Sequence, residues 1–212
     1  MILAVSATTI GCASYGPKDF PPDQSATEWP DTYSKSGFVL FAKLPEDERY
    51  QERYYDCVVT DYDVLPIEVF LENTSDDWTF DVRLSEAKFQ LADGTKFQQL
   101  TQDEVYDELS FSYATPLLWL PFWILIFPPI LLYGDISDAN EALEDHLTKI
   151  SIGDKAVFAK RRHHGVIFFR PVGKDLDECK ISSGTLRLDI DKKSITGDKA
   201  GDVIRAGFTF EK

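Results

Sequence analysis

The sequence predicts a mainly β fold, an antiparallel β-sandwich that carries one apolar insertion and one amphipathic helix. Short alternations of apolar and polar residues recur along most of the chain, turn residues separate them, and one charge-free stretch interrupts them. The 212 residues include 15 Phe, 9 Tyr and 4 Trp, and 43% of all residues are hydrophobic. This composition supplies enough apolar surface for a folded core.

The net charge argues against nucleic-acid binding. The chain has 22 Lys and Arg residues against 36 Asp and Glu, which gives a formal net charge of −14 at pH 7. A protein that binds nucleic acid needs a basic face to displace the counterions of the phosphates, and no long stretch of this sequence supplies one. We therefore expect no nucleic-acid partner.

Residues 1–12 have the pattern of a secretion signal, with an apolar run and small residues that end at Cys12. The tetrapeptide Thr9-Ile10-Gly11-Cys12 resembles the lipobox of bacterial lipoproteins, in which a signal peptidase cuts before the cysteine and the thiol carries diacylglycerol. The resemblance implies that Cys12 is the lipidation site and that membrane lipid is a partner. The residues alone leave one alternative, a buried N-terminal strand with a core cysteine.

Residues 13–36 are predicted to form an extended tether. The segment is rich in Pro, Ser, Asp and Thr and has no apolar periodicity, which is the composition of a linker. Lipoproteins that are retained at the inner membrane commonly have Asp directly after the cysteine, whereas Ala13 and Ser14 follow here. The resemblance therefore implies a cell-envelope protein that faces the periplasm, at the outer membrane rather than the inner.

Residues 37–212 are predicted to form a single domain of short strands. Ile67, Val69 and Leu71 recur at every second position, and residues 73–76 then supply a turn. Asp93-Gly94 is typical of a tight hairpin. The predicted strands cover residues 67–71, 78–84, 87–91, 95–100, 156–160, 165–171, 184–190 and 206–211.

The order of these segments is similar to that in Ig-like sandwich domains of bacterial envelope lipoproteins. The resemblance lies in IEVFLENTS, followed by FQLADGTKFQ, ISIGDKAVFA and GVIFFRP, and it covers roughly residues 66–190 with one interruption. Most members of that group have no assigned activity. The resemblance therefore implies an Ig-like fold and a location rather than a reaction.

The interruption is an insertion at residues 109–150, and its centre at 117–133 reads LLWLPFWILIFPPILLY. A helix that spans a membrane needs about 20 apolar residues, and prolines interrupt its hydrogen bonds. We therefore expect the segment to dip into one leaflet, to dock onto a membrane-protein partner, or to cover the core of its own body. The side chains predicted to contact membrane or partner are Leu117, Leu118, Trp119, Leu120, Phe122, Trp123, Ile124 and Phe127.

An amphipathic helix is predicted at residues 136–150. Residues 135–138 include acidic and hydroxyl side chains suited to an N-terminal cap. The apolar side chains that fall on one helical face are Ile136, Ala139, Leu143, Leu147 and Ile150.

The three cysteines are Cys12, Cys57 and Cys179. If Cys12 is lipidated, the other two can form a disulfide, which suits an oxidising compartment. The alternative is two unpaired buried thiols that behave as small hydrophobic side chains.

We expect no metal, no cofactor and no enzymatic activity. The sequence contains no nucleophile elbow, no phosphate-binding loop and no HExxH motif. His163 and His164 are adjacent, so on a strand they point to opposite faces, and His146 lies on the predicted helix without a spaced ligand partner. The basic patch at 161–164 is interpreted as a solvated turn, with contact to anionic headgroups as the alternative.

The expected function is that of a non-enzymatic binding or structural component in a membrane-associated assembly. A membrane-protein partner would be contacted at 117–133. The alternative is a periplasmic carrier or sensor that binds a lipid or small apolar ligand in a pocket lined by the same segment.

Overall fold

The computed structural model describes residues 15–20, 32–45, 47–111, 127–179, 181, 183–196 and 203–211, and only the backbone of 32, 127–134 and 203–211. The strands are β1 (Thr32–Lys35), β2 (Phe38–Lys43), β3 (Leu65–Asn73), β4 (Trp78–Leu91), β5 (Lys96–Gln99), β6 (Lys155–Val157), β7 (Arg162–Pro171), β8 (Ser183–Ser194) and β9 (Val203–Glu211). The α-helices are α1 (Glu48–Tyr55), α2 (Gln102–Leu109) and α3 (Phe127–Ile150). Short 3₁₀ turns cover Val59–Tyr62 and Leu176–Glu178.

All nine described strands belong to one antiparallel sheet. The strand order is β1-β2-β3-β7-β5-β4-β8-β9, and β6 pairs with β4 beside this path. Backbone positions of β9 come within 8 Å of β1 and of β2, so the two ends of the strand order approach each other. The prediction of a mainly β, antiparallel fold is confirmed. The finer prediction of an Ig-like sandwich is not confirmed, because β7 pairs with both β3 and β5 and thereby joins the strands into one sheet.

The inner face of the sheet forms the core. In β3, Ile67, Val69 and Leu71 are fully buried on this face, as the alternation of the strand predicts. The ring centroids of Phe38 and Phe80 lie 5.2 Å apart across the core. The other core side chains include Leu40, Val82, Leu84, Phe89, Phe169, Leu186, Leu188 and Ile190. The side chains of the sheet therefore pack against one another.

Two turns organise β4. The predicted Asp93-Gly94 hairpin joins β4 to β5, where Gly94 has a φ of +91° and Asp93 Oδ1 accepts a hydrogen bond from the Thr95 amide at 2.8 Å. The predicted strands at 78–84 and 87–91 are one strand, with an irregularity between Arg83 and Lys88. The turn at 73–76 is no hairpin, because β3 and β4 pair with other strands.

Helices α1 and α2 were not predicted, although each begins with a recognisable cap. The Asp47 side chain accepts a hydrogen bond from the Arg49 amide at 2.9 Å and caps α1. Before α2, Glu104 Oε2 accepts from the Thr101 amide at 2.7 Å, and Thr101 Oγ1 accepts from the Glu104 amide at 3.3 Å. This reciprocal pair is a capping box.

The predicted helix at 136–150 lies within the longer α3, which begins at Phe127. Pro128 and Pro129 occupy its first turn, where amide groups have no partner within the helix and proline is tolerated. The predicted apolar face is buried, and Leu143 and Leu147 have almost no exposed surface.

Two compact units divide the chain. One includes residues 110–145, and the other, called the sheet body below, comprises Pro17–Leu109 and His146–Lys212. The predicted tether at 13–36 differs from the structure, because residues 32–35 form β1 and pair with β2. The composition of 32–35 resembles that of a linker, but the segment still forms a strand. An edge strand is held mainly by backbone hydrogen bonds to its neighbour, which do not require apolar side chains.

Candidate functional site

The segment at 15–20 leads from the predicted lipidation site to the sheet body. The Lys18 amide donates a hydrogen bond to the Arg53 carbonyl at 2.9 Å, which fixes the segment to the last turn of α1. The Phe20 ring stacks on Tyr54 with centroids 5.0 Å apart, and it meets Tyr55 and His164 edge-on at 5.9 and 5.2 Å. Residues 17–20, α1 and the outward side chains of β3 and β7 form what we call the anchor face.

Aromatic side chains attach α1 to this face. Tyr54 and Tyr55 are buried, and the rings of Tyr50 and Tyr54 lie 4.5 Å apart. The ammonium group of Lys43 lies 4.1 Å from the Tyr50 ring centroid, within the range of a cation–π interaction. The helix therefore presents its aromatic side to the sheet.

A buried carboxylate lies beneath α1. Glu68 has 0% of its surface exposed, and Tyr50 Oη donates a hydrogen bond to Glu68 Oε2 at 2.9 Å. His164 Nε2 lies 3.9 Å from the same oxygen, while Glu68 Oε1 has no hydrogen-bond partner among the residues that the structure describes. Phe70 pairs with His164, so Glu68 and His164 are diagonal neighbours on the outward face of two paired strands.

His146 joins α3 to α1 within the sheet body. Its Nε2 lies 2.9 Å from the Tyr54 carbonyl oxygen, which can only accept, so Nε2 carries the proton. The ring is 6% exposed. Burial lowers the pKa of His146, and the Tyr54 carbonyl and the charge of Asp19 partly oppose this effect. His146 thus acts as a neutral donor.

The other two histidines lie on opposite faces of β7, as predicted. His164 pairs with the outward Phe70, and His163 pairs with the inward Leu71. Burial lowers the pKa of His163, and Lys155 and Arg161 lower it further. Within the same patch, Arg162 Nε forms a 3.0 Å ion pair with Glu72. No group of three or more metal-ligating side chains occurs among the described residues.

Cys57 and Cys179 are free thiols in the structure. Burial, with smaller effects from Asp56 and Asp61, raises the pKa of the Cys57 thiol to about 12. Burial also raises the pKa of Cys179, whose Sγ lies 3.5 Å from the Asp175 carbonyl oxygen. Both alternatives from the sequence, a Cys57–Cys179 disulfide and two unpaired thiols, stay predictions.

The predicted lipidation site and most of the side chains predicted to contact membrane or partner lie outside the described residues. These are Cys12, Leu117, Leu118, Trp119, Leu120, Phe122, Trp123 and Ile124, while Phe127 is the first residue of α3 and is described by its backbone alone. Within the described ranges, none of the helices combines the length and apolarity that crossing a membrane requires.

Sequence reasoning did not single out Phe20, Tyr50 or Glu68. In β3, Glu68 occupies an alternate polar position, which is the usual pattern of a residue that faces water. A signal for α1 was present in Asp47 and the aromatic residues that follow it. Comparisons of the chain with protein-family models, with curated proteins and with solved structures find no match.

Proposed function

We propose that the protein is a lipid-anchored lipoprotein of the bacterial cell envelope, facing the periplasm from the outer membrane. Its role is that of a non-enzymatic binding or structural component in a membrane-associated assembly. One observation carries the proposal: a lipobox-like tetrapeptide ends at Cys12, and the chain that follows is attached to the sheet body at Lys18 and Phe20.

Chain length supports a close attachment to the membrane. Lys18 is the sixth residue after Cys12, and an extended chain of six residues spans at most about 20 Å. A lipid on Cys12 would therefore keep the anchor face within that distance of the membrane surface.

The apolar segment at 117–133 would supply the second attachment, to lipid or to a membrane protein. A single acyl chain binds membranes only weakly, and stable attachment usually needs a second contact. The core of the sheet is formed by its own strands through residues such as Phe38, Ile67 and Phe80. This packing favours an external role for the segment over coverage of the sheet core.

The Cys12→Ser variant tests the anchor. We expect the natural protein to yield a lipid-modified Cys12 peptide by mass spectrometry and to fractionate with membranes, and the variant to lose most of that association. Cys57→Ser is the matched control and should fractionate like the natural protein. An unmodified Cys12 peptide, or a variant that stays with membranes, would refute the lipoprotein proposal.

A Trp119→Ser/Trp123→Ser variant tests the apolar segment. We expect fewer cross-links to membrane components, with an unchanged circular-dichroism spectrum and unchanged thermal unfolding. Phe158→Ser is the control, because Phe158 is 60% exposed within the sheet body. A large loss of stability in the double variant alone would mean that the segment covers the protein's own core, and the docking proposal would be wrong.

A further inference from the structure

Three exposed cations lie on the anchor face, at Lys18, Arg49 and Arg53. Arg49 and Arg53 are one helical turn apart on α1, about 40° from each other around its axis. The Lys18 amide donates to the Arg53 carbonyl at 2.9 Å, which places Lys18 beside the last turn of the helix. These three residues are called the cationic cluster below.

The cationic cluster has no carboxylate of its own. None of its three side chains forms an ion pair within the ranges that the structure describes. Elsewhere on the sheet body, cations such as Arg83, Lys160 and Arg162 each pair with a carboxylate. The cluster therefore keeps its charge for another partner, although Asp and Glu outnumber Lys and Arg by 36 to 22 in this chain.

The carboxylates of the anchor face are directed to other groups. Around the axis of α1, Glu48 and Glu52 lie on the Tyr55 side of the exposed surface, and the two arginines lie on the other side. The Asp47 side chain accepts a hydrogen bond from the backbone and caps the helix. The charge of Asp19 acts on the buried histidine of α3. One side of the helix is thus locally cationic.

We propose that the cationic cluster binds the phosphate groups of anionic phospholipids at the membrane surface. Guanidinium and ammonium groups bind phosphate through charge-assisted hydrogen bonds. The Arg53 guanidinium lies 5.4 Å from the Tyr54 ring centroid, and this cation–π contact helps to hold it in place. This contact depends on the proposed function, because a lipid on Cys12 would hold the cluster at the membrane.

Both the length of the chain and the range of electrostatic forces allow this contact. Lys18 is the sixth residue after Cys12, so the chain keeps it within about 20 Å of the lipid. The Debye length is about 10 Å at 0.1 M salt, and exposed charges farther away are largely screened. The net charge of −14 therefore permits a local attraction between the cationic cluster and anionic headgroups.

Vesicle binding by the full chain that carries Cys12→Ser tests the proposal. Co-sedimentation measures binding to vesicles of phosphatidylcholine alone and to vesicles that also contain phosphatidylglycerol. Binding through the apolar segment at 117–133 contributes to both measurements and cancels in their ratio. Adding Arg49→Gln and Arg53→Gln should lower the ratio of anionic to neutral binding about thirtyfold, which corresponds to about 1 kcal/mol per cation.

The matched control adds Lys88→Gln and Arg187→Gln to the same Cys12→Ser chain. Both residues are exposed and pair with each other on β4 and β8, so the change removes the same charge away from the anchor face. This control should keep the ratio of the Cys12→Ser protein.

Lys18→Gln keeps the experiment decisive if circular dichroism shows that the double arginine variant has lost structure. This change leaves the backbone bond from the Lys18 amide to Arg53 in place. It removes one cation, and it should lower the ratio about fivefold.

Three results would overturn the proposal. The first is an equal fall of the ratio in the cluster and control variants, and the second is a fall that persists in about 0.5 M salt, where exposed charges are screened. The third is an unchanged ratio, and a loss of cross-links to one protein in intact envelopes would then place a protein partner on the cluster. Because every chain compared carries Cys12→Ser, failure of the lipid anchor would appear only in the mass of the natural Cys12 peptide.

Discussion

The Glu68 side chain has no exposed surface, and its neighbours determine how it affects the position of α1 on the sheet. Tyr50 reaches it from α1 with a 2.9 Å hydrogen bond, and His164 lies beside it on β7. Removing one partner of a buried acceptor costs more than the bond contributes, because the remaining group stays desolvated. The hydrogen bond between Tyr50 and Glu68 therefore favours one position of α1 on the sheet.

His146 should make stability depend on pH. The unfolded pKa is near 6.5 and the folded pKa is lower, so below pH 6.5 the unfolded state binds a proton that the folded state does not. We expect the free energy of unfolding to fall as the pH drops from 7.5 through 6.5. Urea titrations at several pH values would measure it.

The control for this effect is His146→Gln, which keeps an N–H donor for the Tyr54 carbonyl but does not titrate. It should show a shallower dependence on pH. His163→Gln should retain most of the dependence, because His163 is less buried than His146. An unchanged pH dependence in His146→Gln would contradict the assignment.

The two thiols should react slowly in the folded protein. Only the thiolate is nucleophilic, and a pKa of about 12 leaves little of it at Cys57 near neutral pH. We expect iodoacetamide to modify Cys57 and Cys179 slowly in native protein and rapidly after unfolding without reductant, as read by intact mass. Labelling that requires a reductant would instead establish the Cys57–Cys179 disulfide.

At the level of secondary-structure elements, helix caps determine where α1 and α2 begin, and a strand irregularity interrupts the pairing of β4. The Asp47 cap starts α1 at a position from which Tyr50 and Tyr54 reach the sheet, and the Thr101–Glu104 capping box starts α2 directly after β5. The irregularity in β4 and the shortness of β5 and β6 leave residues 83–88 without a strand partner on one edge of β4 among the described residues. Thus a few local features determine where the helices begin and where strand pairing is interrupted.

The docked segment at 17–20 should depend on Phe20. Each of its aromatic contacts contributes about 0.5–1.5 kcal/mol beyond simple burial. We expect Phe20→Ala to release the segment, so that the Lys18 amide exchanges its hydrogen faster while amides of β3 and β7 stay protected. Phe158→Ala is the control. Unchanged exchange at Lys18 would mean that the backbone bond to Arg53 holds the segment alone.

At the level of the whole molecule, a strongly acidic chain forms an antiparallel sheet in one compact unit, and the other compact unit includes residues 110–145. The sheet body forms its own core, and the anchor face lies on the outer side of the sheet, away from that core. The proposed attachment to the envelope uses this face.

The sequence by itself determined the mainly β fold class, the Asp93-Gly94 hairpin and the apolar face of α3. These features depend on local periodicity and on turn residues. Only the tertiary structure decided that β3 pairs with β7, that Glu68 is covered and that β5 lies between β7 and β4. Period-two alternation assigns a residue to a face of a strand. It does not specify which distant strand pairs beside it, or which helix packs over that face.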